Sequence, residues 1–266
     1  MASRSVSLHL FVLTVVLLLA GAAAQAQAPS TTSPTQGQAT PGVAPRLPAA
    51  PEPSEPEWRL GAMTFGADTS VTTAYVWRGW ILDTGRCLQP DVWVKMGDLT
   101  VTSWVNVHMM SGTSLSLTEH DLSVDYSHEA GRVTLSAGWI NYATLGHQAG
   151  NTNEFYGGLR LKTLFNPGVQ VYHDVQLGNG TYVSLSANQG FPIVRRVGGT
   201  AQVSVGYNHH QYTEVSGWSD VAVTLKLNVE VPSARVTLQP TIAYSHSLLP
   251  DVFPSRVFGG LSVAFK

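Results

Sequence analysis

The chain of 266 residues is long enough for one large domain or two small ones, and only 12% of it is charged while 44% is hydrophobic. A soluble domain carries roughly 25% charge, so a water-facing globule is disfavoured, and a formal net charge of −2 argues against the basic stripe of a nucleic-acid binder. The single cysteine, Cys87, rules out an internal disulfide framework and a CxxC zinc site, and the composition is too polar for a bundle of membrane helices, each needing about 20 consecutive apolar residues, which leaves all-β folds.

Residues 1–26 read as a secretory signal peptide. Basic Arg4 precedes an apolar run from Leu8 to Ala20, and small residues follow from Gly21, with Ala22-Ala23-Ala24 and Ala24-Gln25-Ala26 as A-x-A cleavage patterns. Residues 27–58 are rich in Pro, Ala, Ser, Thr and Gln and hold eight of the fifteen prolines, Pro29 to Pro56. Too few large apolar side chains are present to offset ordering entropy, so this segment is expected to be a disordered, partly polyproline-II spacer.

Residues 59–266 alternate with period two, the signature of strands with one apolar and one polar face. Met63, Phe65, Val71, Tyr75 and Trp77 oppose Thr64, Asp68, Ser70, Thr72 and Arg78. Leu122, Val124 and Tyr126 oppose Asp121, Ser123 and Asp125, and Val221, Val223 and Leu225 oppose Asp220, Thr224 and Lys226. Such runs give about twelve strands, an even number as bacterial barrels have. Nearly every charge inside a strand keeps to the polar parity, as a lumen requires, because a charge on the lipid face costs roughly 2–4 kcal/mol at the midplane.

Aromatics on the apolar parity, among them Tyr75, Trp77, Trp139, Phe155, Tyr207 and Tyr244 at one rim and Tyr126 and Phe265 at the other, fit two interfacial girdles. Short turns such as Gly97-Asp98 alternate with longer segments such as Met110–Glu119 and His246–Pro254. Four features fit less well: a connection from Gln189 to Val197 that is long for a periplasmic turn, a segment from Gln176 to Gly180 that is short for an outer loop, Ile140 on the lumen parity, and Pro240 inside a strand, where it removes a ladder donor. The expected fold is an all-β, transmembrane, antiparallel up-and-down β-barrel.

Tyr75-Val76-Trp77-Arg78-Gly79-Trp80, followed by Asp83 and Leu88-Gln89-Pro90-Asp91-Val92, resembles the opening YVFRG hairpin of the TorF-type family of porin-like bacterial outer-membrane proteins, with Trp77 in place of Phe. Phe258-x-Gly260-x-x-Val263-x-Phe265 resembles the C-terminal signal read by the barrel-assembly machinery. The resemblance implies an outer-membrane location, contact with outer-membrane lipids and with that machinery, and passive transport.

The expected pore-lining residues are Arg78, Lys95, Asp121, Asp125, Arg160, Lys162, Asp174, Lys226 and Arg256. Charged groups facing a narrow lumen set ion selectivity through field and width. Acidic and basic groups are comparable in number, so small polar solutes are expected without strong preference for either sign. Ion pairs that brace and plug the barrel are the alternative, which would make it a scaffold or adhesin.

No cofactor, metal site or nucleic-acid partner is expected. His108, His147, His209, His210 and His246 lack fixed ligand spacing. Ser245-His246 and Asn208-His209-His210 lack any hydrolase motif, so an enzyme is not expected.

Overall fold

The computed structural model describes residues 58–60, 63–109, 114–145 and 150–265. The signal-peptide and spacer readings, Trp58 apart, and His147 lie outside the described residues. Fifteen strands follow in order: β1 (Trp58–Leu60), β2 (Met63–Thr72), β3 (Tyr75–Trp77), β4 (Trp80–Asp83), β5 (Arg86–Met96), β6 (Leu99–Met109), β7 (Leu115–Ala130), β8 (Val133–Thr144), β9 (Gly150–Leu161), β10 (Gly168–Asp174), β11 (Gly180–Val194), β12 (Val197–His209), β13 (Ser216–Val231), β14 (Val236–Ser247) and β15 (Arg256–Phe265).

Twelve of these, β2 and β5 to β15, form a closed antiparallel barrel. β2 pairs with β5 along its whole length and with β15 from Asp68 to Thr72, which closes the ring. β1 folds back onto Met63–Phe65 of β2, on the side that β15 occupies further along. Period two explains the wall: outward Leu135, Phe155, Leu185, Leu225, Tyr244 and Val257 are exposed, while Asp121, Glu154, Gln170, Asn188 and Asp220 point inward and are buried. This inside-out distribution is that of a barrel solvated by lipid.

At one end, here the turn end, Gly97-Asp98 and Gly131-Arg132 join β5 to β6 and β7 to β8. Gly97 (φ 60°) and Gly131 (φ 61°) take the left-handed backbone these tight turns need. The opposite, loop end carries most of the longer connections, although β9 and β10 are joined at the turn end by six residues, 162–167.

The Gln189–Val197 segment is not a long connection: β11 and β12 stay paired to Val194↔Val197, with Ile193 bulged out and only Arg195-Arg196 in the turn. Further bulges at Thr118 and Ser219 shift the register of β7 and β13. Pro240 pairs with Leu261 of β15, and the ladder to β13 lapses beside it without a change of register.

The largest departure from the expected arrangement is at Tyr75 and Trp77. β2 stops at Thr72, and β3 and β4 form a separate two-stranded ribbon. Tyr75 and Trp77 are buried (5% and 1% exposed), so they do not belong to a lipid-facing girdle. Parity alone carried them there, and period two does not tell which sheet a strand joins.

Candidate functional site: a plugged lumen

Arg78 (φ 47°) and Gly79 (φ 84°) both have positive φ and form the two-residue turn between Trp77 and Trp80, the geometry that suits the twist of a tight hairpin. The ribbon enters from the loop end and places this turn against inward side chains of the far wall. Trp77 packs edge-on against Tyr142 of β8 (6.2 Å) and Tyr212 of the β12–β13 loop (5.9 Å), and Trp80 against Phe253 of the β14–β15 loop (4.7 Å).

The Arg78 guanidinium is the centre of this contact. Nη1 and Nη2 donate to the two oxygens of Glu154 on β9, each at 2.7 Å, and Nη1 also donates to Gln211 Oε1 at 2.9 Å. Glu154, fully buried, further accepts from Tyr142 Oη (2.8 Å) and Gln211 Nε2 (2.7 Å). The cation lies over Tyr172 (4.0 Å), Trp77 (4.4 Å) and Tyr182 (4.8 Å). A guanidinium enclosed by π faces and matched bidentately to a buried carboxylate satisfies a charge pair that would otherwise be costly inside a barrel.

Beside it, Asp174 accepts from Thr152 Oγ1, Tyr212 Oη (2.6 Å) and the Gln176 and Gly178 amides, which fixes the β10–β11 loop. Burial, reinforced by Asp174, pushes the Tyr212 phenol well above its ordinary pKa.

Between this plug and the turn end lies a cavity of 490 Å³. Its charged lining is Asp68, Asp91, Asp121 and Asp125 against Lys95 and Lys226, with Trp93, Trp104 and Ile140 also on the wall. Tyr156 donates to Asp125 at 2.6 Å.

The expected pore-lining residues therefore divide. Lys95, Asp121, Asp125 and Lys226 line the cavity. Arg78 is inside the barrel but on the plug, not the wall, and Asp174 is buried in loop contacts. Arg160 braces the β9–β10 turn through Asn166 O (2.7 Å) and Ser186 Oγ (3.2 Å). Lys162 lies past the end of β9, exposed, paired with Glu129 at the turn-end rim. Arg256 donates to Thr84 O (3.2 Å) near the loop end.

On β15, Phe258 and Gly260 share the inward parity, while Val263 and Phe265 share the outward one with exposed Val257 and Leu261. Ser245 is buried inward and His246 is on the opposite, outer face, so the two do not form a dyad.

Reading the sequence missed Glu154 as the partner of Arg78, and Gln211, Tyr212 and Phe253 as plug contacts. A signal existed in the tyrosines: Tyr142, Tyr156, Tyr172 and Tyr182 all fall on the polar parity, where a phenol can find a partner.

A closed twelve-strand sheet, lipophilic outside and polar within, with an ordered hairpin in its lumen, defines a transmembrane β-barrel. No family model and no curated protein matches the sequence. Among solved structures it is similar to the NanC porin (12% identity, 75% of this chain and 99% of that chain, TM-score 0.49). It is also similar to the translocator domain of the autotransporter NalP from Neisseria meningitidis (12%, 77% and 88%, 0.42) and to OccK5 (OpdH) of Pseudomonas aeruginosa (10%, 77% and 67%, 0.37).

Proposed function

We propose that this chain is an outer-membrane, porin-like channel for passive diffusion of small polar solutes or ions, narrowed by the β3–β4 hairpin. The observation that carries the reading is the 490 Å³ charged cavity inside a lipophilic barrel. A barrel serving only as a scaffold needs no such charge-lined space, whereas a diffusion path does. By the barrel convention the turn end faces the periplasm and the loop end the exterior, so the plug is entered from outside.

The same reading includes a signal peptide at residues 1–26 removed on export, a spacer at 27–58, contact with outer-membrane lipids, delivery by the barrel-assembly machinery through Phe258, Gly260, Val263 and Phe265, and kinship with the TorF-type family through Tyr75–Trp80. It assigns no catalytic step. Lys95, Asp121, Asp125 and Lys226 are the proposed selectivity residues, and Arg78 the residue that holds the constriction. Recording from refolded protein in planar bilayers tests the reading: discrete conductance steps support it. Absence of any step, in wild type and in variants with a loosened hairpin, overturns it in favour of a closed scaffold.

A further inference from the structure

Cys87 and His108 stand directly opposite one another across β5 and β6, which sets both side chains on the same face. Asp83, the last residue of β4, reaches them from the returning arm of the plug hairpin, and its Oδ2 contacts His108 Nδ1. One donor atom from each residue, a carboxylate oxygen, a thiol sulfur and an imidazole nitrogen, lies within 4.8 Å of the other two. We propose that Asp83, Cys87 and His108 form a divalent-metal site of the zinc class, which ties the plug hairpin to the barrel wall.

The donor set suits that chemistry. Zinc takes thiolate at about 2.3 Å and imidazole or carboxylate at about 2.0–2.2 Å in a tetrahedral arrangement, and these three donor types are the ones gathered here within 4.8 Å. The carboxylate is oriented from behind: Asp83 Oδ1 accepts the Gly85 amide at 2.7 Å, the type of outer contact that fixes a metal ligand.

Gly85 leaves the imidazole its place, because a Cβ there would stand 2.8 Å from His108 Cε1 and displace the ring. Arg256 holds the same loop through Thr84 O. Cys87 is fully buried, whereas the His108 side chain is 31% and the Asp83 side chain 14% exposed, so an ion has an entry path on the imidazole side and a closed floor at the sulfur. Three protein donors leave a fourth position for water. Arg78–Glu154 secures the tip of the hairpin, and the metal would secure its base. This inference does not depend on the barrel conducting.

The test is titration of the refolded full-length chain in detergent with Co²⁺, followed by Zn²⁺ competition. The expected result is one equivalent bound, with tetrahedral d–d bands and a thiolate-to-cobalt charge-transfer band that Zn²⁺ abolishes. Cys87→Ser should remove the charge-transfer band, and His108→Ala or Asp83→Asn should weaken binding at least about tenfold, the order of effect expected of groups that shape a metal site. His246→Ala should leave binding unchanged, and heat-modifiable gel migration verifies that each variant is folded. Absence of a thiolate band in the wild type, which requires no variant to interpret, or undiminished affinity in folded Cys87→Ser, overturns the proposal.

Discussion

Arg78 at the tip of the inserted hairpin and Glu154 on β9, 76 residues apart, share two parallel hydrogen bonds of 2.7 Å in the interior of the barrel. Both side chains are almost wholly removed from solvent, 3% and 0% exposed. The pair is an anchor: it holds in the middle of the lumen a hairpin whose two strands form a sheet of their own.

Removing one partner of a buried pair strands the other charge, at a cost of about 3–5 kcal/mol. Arg78→Ala should therefore release the hairpin while the barrel, held by its own ladder, remains folded. Chymotrypsin added to the protein in detergent should leave the wild type intact and cut the variant near Tyr75, Trp77 or Trp80. Equal resistance of both would show that the aromatic contacts alone hold the plug.

Barrel closure depends on five register pairs between β15 and β2, Gly260↔Thr72 to Ala264↔Asp68. A Cβ on Gly260 would meet the Val71 carbonyl oxygen at 2.6 Å, and backbone cannot yield as a flexible side chain can. Gly260→Val should weaken the seam and abolish or sharply lower the temperature at which the compact form in detergent gels converts to the unfolded one.

The wall was legible in the sequence because alternation decides which face each residue takes: Asp121 and Asp125 inward, Tyr126 outward, and the same for Val257 and Leu261 on β15. The plug was not. Tyr75 and Trp77 continue the odd-numbered apolar parity of Val71, and nothing local marks the departure from the sheet at Thr73-Ala74 except the Arg78-Gly79 turn flanked by two tryptophans. Glu154 sits in a strand like any other inward acid, and its role comes only from closure of the ring, which brings β9 opposite the hairpin. The Gln189–Val197 segment misled for a local reason: Gly190 and Pro192 look like a loop, yet Pro192 pairs with Gly198 and a bulge at Ile193 absorbs the irregularity.

Cavity composition revises the expectation of weak charge preference, since four aspartates face two lysines. An excess of fixed negative charge raises the local concentration of cations. Reversal potentials across a salt gradient should indicate cation preference, and the double variant Asp91→Asn, Asp125→Asn should move the reversal potential toward zero. Anion preference in the wild type would contradict this assignment.

Tyr212 supplies a pH dependence. Its pKa is raised in the folded protein by burial and then by Asp174, so the stability it contributes is complete below the ordinary phenol value of about 10 and is lost as pH rises above it. Thermal unfolding followed by circular dichroism should show no Tyr212-dependent change from neutral pH to about 9 and a decline above about 10. Tyr212→Phe, which lacks the 2.6 Å hydrogen bond to Asp174, should be less stable at neutral pH, and its difference from the wild type should shrink in the alkaline range.

Planar-bilayer recording of the wild type beside Arg78→Ala tests most directly the claim that this barrel is a diffusion channel constricted by its own hairpin. Discrete conductance steps are predicted from the wild type, with larger or longer-lived steps once Arg78 no longer grips Glu154. Silence from both proteins, each shown to be folded and inserted, would contradict it.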